Sequence, residues 1–270
     1  MADNIIEFHN ISKSYGDNVI IPNLNLNVEK GDFLTVIGSS GCGKTTMLKM
    51  INRLISPDKG EIFIDGKSIE DINVVELRRH IGYSIQGNML FPHLTIAENV
   101  YYVPDLIRED EKNKHKRDKN IESDESYNKR KKERLSILMD HVGLDDSYLN
   151  RFPNELSGGQ QQRVGIARAI AAEPKLLLMD EPFGAIDEIT RSQLQKQLKQ
   201  IYNQFHQTII FVTHDIGEAL FLGQHVLVMN NGIIDQYGTP ADILNNPATE
   251  FVEKLCERTK VLIDKKNNEI

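Results

Sequence analysis

The segment Gly38-Ser-Ser-Gly-Cys-Gly-Lys-Thr45 constrains this chain more than any other. It fits the pattern G-x-x-x-x-G-K-[S/T]. The apolar run Phe33–Ile37 precedes it, and Met47, Leu48, Ile51, Leu54 and Ile55 follow at helical spacing. The order is therefore buried strand, glycine-rich turn, amphipathic helix. Glycines let the backbone curl so that successive N–H groups face inward and cradle phosphate oxygens. The helix adds the positive end of its dipole. Lys44 supplies a mobile point charge for β- and γ-phosphates, and the Thr45 hydroxyl is placed to ligate magnesium. A loop of this kind belongs to an α/β architecture with a largely parallel sheet.

The rest of the chain agrees with that frame. Ile81–Ile85, Leu176–Met179 and Thr208–Thr213 read as further short strands. The first stretch, Ile5 to Val28, alternates in polarity with Gly16 and Pro22 as breakers, and reads as antiparallel hairpin material. No tandem repeat is present, which excludes a solenoid. From 105 to 134 the composition changes: 11 Lys/Arg and 9 Asp/Glu stand against three large aliphatic residues. Such a stretch cannot offset its ordering entropy by burial, and the expectation is a solvated, mobile insertion with a charged helix toward its C-terminal end. Across 270 residues, 32 Lys+Arg against 39 Asp+Glu give a net charge of −7, which argues against nucleic acid as the main partner. Cys42 and Cys256 are too few and too far apart for a disulfide framework or a zinc site. The N-terminus lacks a signal-peptide layout and no apolar run approaches about 18 residues. A cytosolic chain is expected, with any membrane role exerted through partners.

Two more motifs carry chemistry. Leu176-Leu-Leu-Met-Asp180-Glu181 is a buried strand ending in two carboxylates at the sheet edge where open α/β sheets bind ligands. Asp180 is expected to contact magnesium through water, and Glu181 to polarise or deprotonate an attacking water. In Leu156-Ser157-Gly158-Gly159-Gln160, two glycines after a serine open a second helix N-terminus suited to anions. One phosphate chain does not need two cradles from one subunit. A dimer explains both, each subunit offering its second cradle to its partner's nucleotide.

In this order the motifs resemble the ATPase subunit of an ABC transporter, over nearly the whole chain. The resemblance implies a P-loop NTPase fold of the ABC ATPase type: a mostly parallel core sheet, an N-terminal antiparallel β subdomain and an inserted α-helical subdomain. The core is expected over 1–86 and 164–240, the helical subdomain over 87–163, and a helical tail over 241–270. Gly38, Ser39, Ser40, Gly41, Cys42, Gly43, Lys44, Thr45 and Thr46 correspond to Walker A, and Leu176–Glu181 to Walker B. Leu156–Gln160 is identical to the signature LSGGQ. The same resemblance implies that Gln86 touches magnesium and couples the helical subdomain to the core. It gives His214 the γ-phosphate, Tyr15 the adenine, and Asp187 a role across the dimer interface. Gly87–Leu94 would receive a coupling helix from a membrane subunit. Cys42 is read as a small filler whose alkylation blocks nucleotide binding.

The implied machine binds ATP and Mg²⁺, pairs with a second copy of itself, and works at the cytoplasmic face of the membrane with transmembrane permease subunits. An extracytoplasmic solute-binding protein takes part indirectly, and no nucleic acid does. Ile81–Gln86, Leu90–Ile96, Gln160–Gly165 and Pro182–Arg191 resemble the quaternary-amine branch of importers, which take up glycine betaine, carnitine, choline or proline. Three departures stand out: Glu188 replaces a usual proline, the charged insertion is long, and the chain ends at Ile270 without the paired regulatory domains of many relatives. The alternatives are an importer of polyamine, sulfate, phosphate or amino acid, and a soluble ABC ATPase without a transport role.

Overall fold

The computed structural model describes residues 3–87, 89–114, 122–184 and 186–257. Its first elements are β1 (Asn4–Tyr15), β2 (Asn18–Glu29), β3 (Phe33–Gly38), α1 (Lys44–Ile51), β4 (Lys59–Ile64), β5 (Lys67–Ser68), α2 (Val74–Arg79) and β6 (Ile81–Ser84). Then come α3 (Ile96–Lys114), α4 (Asp124–His141), α5 (Gly158–Ile170), β7 (Leu176–Asp180) and α6 (Glu188–Phe205). The last are β8 (Thr208–Val212), α7 (Ile216–Leu222), β9 (His225–Asn230), β10 (Ile233–Gly238) and α8 (Pro240–Asn245). The chain forms two compact units.

The first unit comprises Met1–Arg78, Leu178–Glu181 and Phe205–Ile270. Here β1 pairs antiparallel with β2 from Asn4↔Glu29 to Tyr15↔Asn18, and with β4 on its other side. This is the hairpin that the alternation predicts. The second sheet of the unit runs β10-β9-β3-β8-β7. Strand β3 lies between β9 and β8 and is parallel to both, with Val36 opposite Val212 and Ile37 opposite Val228. Every residue of β3, β7 and β8 is buried, as expected where a sheet is covered on both faces. Ile37, Val226 and Val228 pack with Ala219, Ile243, Val252 and Cys256. The C-terminal residues 258–270, part of the expected tail, lie outside the described residues.

Helix α1 is shorter than the spacing predicts. It ends at Ile51, Arg53 turns into the left-handed region at φ 48°, and Leu54 is exposed. The reason is a long-range attachment. Arg53 Nη1 donates to the carbonyls of Ile69 and Ile72 at 2.9 and 2.8 Å, which fixes the chain direction after the helix.

The second unit comprises Arg79–Leu177 and Pro182–Gln204. Helix α5 packs against α3, α4 and β6. Of the charged insertion, 105–114 belong to α3 and the stretch from Asp124 on to α4, the charged helix expected toward its C-terminal end, and the described charged residues are exposed or half-buried; residues 115–121 lie outside the described residues. A single aromatic anchors the two helices. Tyr127 is buried, its hydroxyl donates to Asp105 at 2.7 Å, and the Arg108 guanidinium lies 3.7 Å from its ring centroid. Stacked and paired side chains thus provide the ordering that aliphatic burial does not.

Candidate functional site

The first unit carries most of the candidate residues. The turn after β3 passes through Gly41 and reaches Gly43 at φ 103°, where Gly43 is the N-cap of α1. A β-carbon on Gly38 would lie 2.0 Å from the Met229 carbonyl oxygen, so the strand end tolerates no side chain there. Because the cap is a glycine, no side chain bonds the helix N-terminus. The N–H groups of the first turn have no acceptor within the helix and are left for a ligand.

Lys44 is buried, and its Nζ donates to Gly38 O at 2.8 Å and Ser39 O at 2.9 Å. The ammonium is therefore folded into its own loop. Cys42 Sγ lies 3.8 Å from the same Nζ and is 3% exposed. The thiol does fill space, but its burial keeps an alkylating reagent away until the loop opens, which limits the expected alkylation.

Thr45 Oγ1 donates to Asp180 Oδ1 at 3.0 Å. Asp180 is 1% exposed. Burial pushes its carboxyl above the usual range, and the Thr45 hydrogen bond opposes this. Among the described residues there is no cluster of three His, Cys, Asp or Glu able to cage a metal. Magnesium needs none, because it keeps waters and substrate phosphates among its ligands. A threonine hydroxyl beside one buried carboxylate suits that ion.

Glu181 follows with φ 47°, a left-handed conformation that costs a non-glycine residue about 1–2 kcal/mol. Its N–H is held by Val212 O at 3.0 Å, across from the end of β8. This bend brings Glu181 Oε2 to 3.5 Å from His214 Nδ1. His214 is fixed from both sides. Thr213 donates its N–H to Val36 O and its hydroxyl to Glu218, and Asp215 caps α7 by accepting from the N–H groups of Gly217 and Glu218. Tyr15, at the end of β1, is 50% exposed with Lys13 Nζ 5.7 Å from its ring centroid. Asp58 fixes this strand end, accepting from Lys13 Nζ at 2.7 Å and Ser14 N at 2.6 Å. Sequence reasoning missed Asp58, since an aspartate in a Ser-Pro-Asp-Lys-Gly turn looks like ordinary turn chemistry.

Gln86, the signature and Asp187 belong to the second unit. Gln86 is exposed on a bend after β6, and Gly87 follows at φ 86°. Ser157 is the N-cap of α5. Its hydroxyl accepts from Gln160 N at 3.3 Å, and Gln160 Oε1 accepts from Ser157 N at 2.9 Å. Gly158 and Gly159 form the start of the helix. Asp187 is exposed and accepts the Thr190 N–H at 3.0 Å, at the start of α6. Ala185 of the segment 184–187 and Asn88 of the segment 87–94 lie outside the described residues. Two further residues organise the chain after Gln86. Asn99, fully buried, accepts from Phe91 N and donates to the carbonyls of Phe91, Leu94 and Thr95, and Arg168 of α5 donates to Met89 O at 2.8 Å. The only hint in the sequence is an amide between the apolar Ile96 and Val100.

Comparison with known proteins adds the following. A family model described as "ABC transporter" matches residues 21–184. The choline transport ATP-binding protein OpuBA of Bacillus subtilis is 48% identical over 96% of this chain and 64% of its own length. The glycine betaine uptake system ATP-binding protein YehX of Escherichia coli is 44% identical over 95% of this chain and 78% of its own. The chain spans 61 to 64% of the length of the first curated relatives it matches. Among solved structures, the dimeric MJ0796, a bacterial ABC transporter cassette, superposes with a TM-score of 0.75 at 34% identity, over 87% of this chain and 98% of that one.

Proposed function

The chain belongs to the ABC transporter ATP-binding family, and on that premise we propose that it is the ATP-hydrolysing subunit of an importer for quaternary-amine osmoprotectants. The observation that carries the ATPase reading is the convergence in one unit of a glycine-capped phosphate cradle, the Thr45–Asp180 pair and the Glu181–His214 pair. The cargo reading is supported by relatives whose names specify choline, carnitine and glycine betaine.

Phosphoryl transfer asks mainly for positioning and charge stabilisation. Nucleotide phosphates take the open N–H groups of α1, and Lys44 exchanges its bonds to Gly38 O and Ser39 O for phosphate oxygens. Thr45 and Asp180 would hold Mg²⁺, with Gln86 as the further expected ligand, and the ion would supply charge neutralisation at the phosphates. Glu181 orients water and accepts its proton, and His214 steadies the Glu181 carboxylate and reaches the γ-phosphate. Tyr15 offers its exposed face to adenine. A second copy of the chain supplies Ser157, Gly158 and Gly159 to each nucleotide, with Gln160 shaping that turn and Asp187 acting at the same interface. Hydrolysis removes the shared charge and the dimer reopens. Residues 1–86 and 164–240 serve as ATP-binding core and 87–163 as the helical subdomain. No helix among the described residues is long and apolar enough to cross a membrane. The motion is passed to transmembrane permease subunits, placing the chain peripherally at the cytoplasmic face, with a solute-binding protein acting on the far side.

The test is uptake of labelled glycine betaine, choline, carnitine and proline by cells carrying wild-type or Lys44→Ala protein, with a polyamine control. Lysine-dependent uptake of the quaternary amines is expected. Uptake of all four unaffected by the substitution would remove the cargo assignment.

A further inference from the structure

We propose that an open cavity within the second unit, lined by α3, α4 and the turn after α5, binds a small zwitterion bearing a carboxylate and a substituted ammonium group. The proposal rests on the importer reading only in taking a zwitterionic cargo, glycine betaine, and not the cation choline, as that ligand. The cavity measures about 410 Å³, a size that small-molecule sites share.

Its walls carry Arg108, Arg130 and Arg134 against Glu111, Glu122 and Glu173. Equal numbers of opposite charges decide what fits. A simple anion gains from three guanidiniums and loses to three carboxylates, and a simple cation meets the reverse. A molecule with both charges at its two ends gains at both.

The polar groups are held in place beforehand. Arg108 stacks on Tyr127, Arg130 Nη2 meets Glu122 Oε2 at 2.9 Å, and Arg134 Nη2 meets Glu173 Oε1 at 3.0 Å. Such pre-set guanidiniums receive a carboxylate with little ordering cost. Glu111 enters no ion pair or hydrogen bond among the described residues. It is therefore the carboxylate left to face the ligand's cation. Arg130 meets Glu122 through Nε and Nη2, and its Nη1 can take the ligand's carboxylate without leaving that pair. Pro104, Ile107 and Ala172 supply apolar wall between these ends, where methyl groups of a betaine would rest. This site lies apart in sequence from every residue assigned to nucleotide, so its occupancy reports solute rather than ATP.

The experiment is titration of the purified chain with glycine betaine, read by calorimetry and by NMR shifts of the tyrosine rings. Two single-charge comparators of similar shape accompany it: choline as the cation and 3,3-dimethylbutanoate as the anion. Glycine betaine is expected to bind, and both comparators to bind about tenfold more weakly or worse, as the loss of one charge-assisted contact implies. Glu111→Gln and Arg130→Gln are each expected to weaken betaine about tenfold on the same ground. Both side chains are largely outside the packed core, so circular dichroism should match wild type. Ala172→Trp provides a second variant that fills the cavity and is expected to abolish binding. Absence of betaine binding, equal binding of either comparator, or binding unmoved by all three substitutions would overturn the proposal. Uptake independent of Lys44 with Glu111-dependent betaine binding intact would sink the importer reading and leave this site standing.

Discussion

The chain has two helix N-termini built for anions, and they are finished differently. At α1 the cap is Gly43, which has no side chain to offer, and the cation of the site, Lys44, is folded back on its own loop. At α5 the cap is Ser157, and a reciprocal pair of hydrogen bonds with Gln160 closes part of the turn. The first end leaves its N–H groups open and keeps a buried charge in reserve. The second has satisfied one of its N–H groups itself and leaves those of Gly158 and Gly159 for a ligand. A phosphate therefore gains most at α1, where it satisfies groups that have no other acceptor. At α5 it adds to a helix end that is already stable, which suits a weaker contact made and broken each cycle.

The sharpest test of this contrast is the nucleotide affinity of the isolated chain. Lys44→Ala removes a charge-assisted donor and should weaken ATP binding about 10- to 100-fold. Ser157→Ala should leave the same affinity within about twofold, since its turn serves the partner's nucleotide. Equal losses in fluorescent-nucleotide titrations would break the comparison.

A smaller effect concerns stability. Ser157→Ala opens the reciprocal cap and should cost about 1 kcal/mol in denaturant unfolding. Gly43→Ser offers α1 the side chain that it lacks, but at φ 103° a non-glycine residue is strained, so no gain in stability is expected from that added cap. A stabilised Gly43→Ser protein would mean that the bare cap is not enforced by its backbone.

The smallest effect is a titration at a third helix end. The Thr190 backbone N–H and hydroxyl hold the Asp187 carboxyl below the usual range. A depressed folded-state value gives stability that is present above the unfolded value and lost as pH falls through the folded one. Acidification below about pH 4 should therefore fray the start of α6, seen as loss of amide-exchange protection at Thr190. Asp187→Asn keeps an acceptor and should remove the pH dependence. Fraying that is unchanged in the asparagine variant would show that another group titrates.

Several parts of the fold and candidate site were legible because their determinants are local. The strand, glycine turn and helix around Lys44 follow from spacing and from glycine's freedom. Ser157 and Gln160 announce their cap by lying three residues apart. The hairpin of β1 and β2 shows in alternation broken at Gly16. The charged helix toward the end of the insertion was legible too, but its anchor was missed for a physical reason. Tyr127 gathers Arg108 and Asp105 from another helix. The early end of α1 was missed likewise, because the carbonyls that fix Arg53 lie 16 and 19 residues away.

By itself, then, the sequence determined which residues could hold phosphate, which strand would carry carboxylates, and where helices would start. Those properties depend on neighbours within a few positions. Only the tertiary structure decided that Thr45 meets Asp180 across 135 residues, that Glu181 bends to φ 47° and reaches His214, and that Lys44 bonds its own loop. The first two pair polar groups from the ends of different strands, and there the geometry of the sheet, not the spacing of the chain, selects the partner; the third depends on how the loop folds around a buried ammonium.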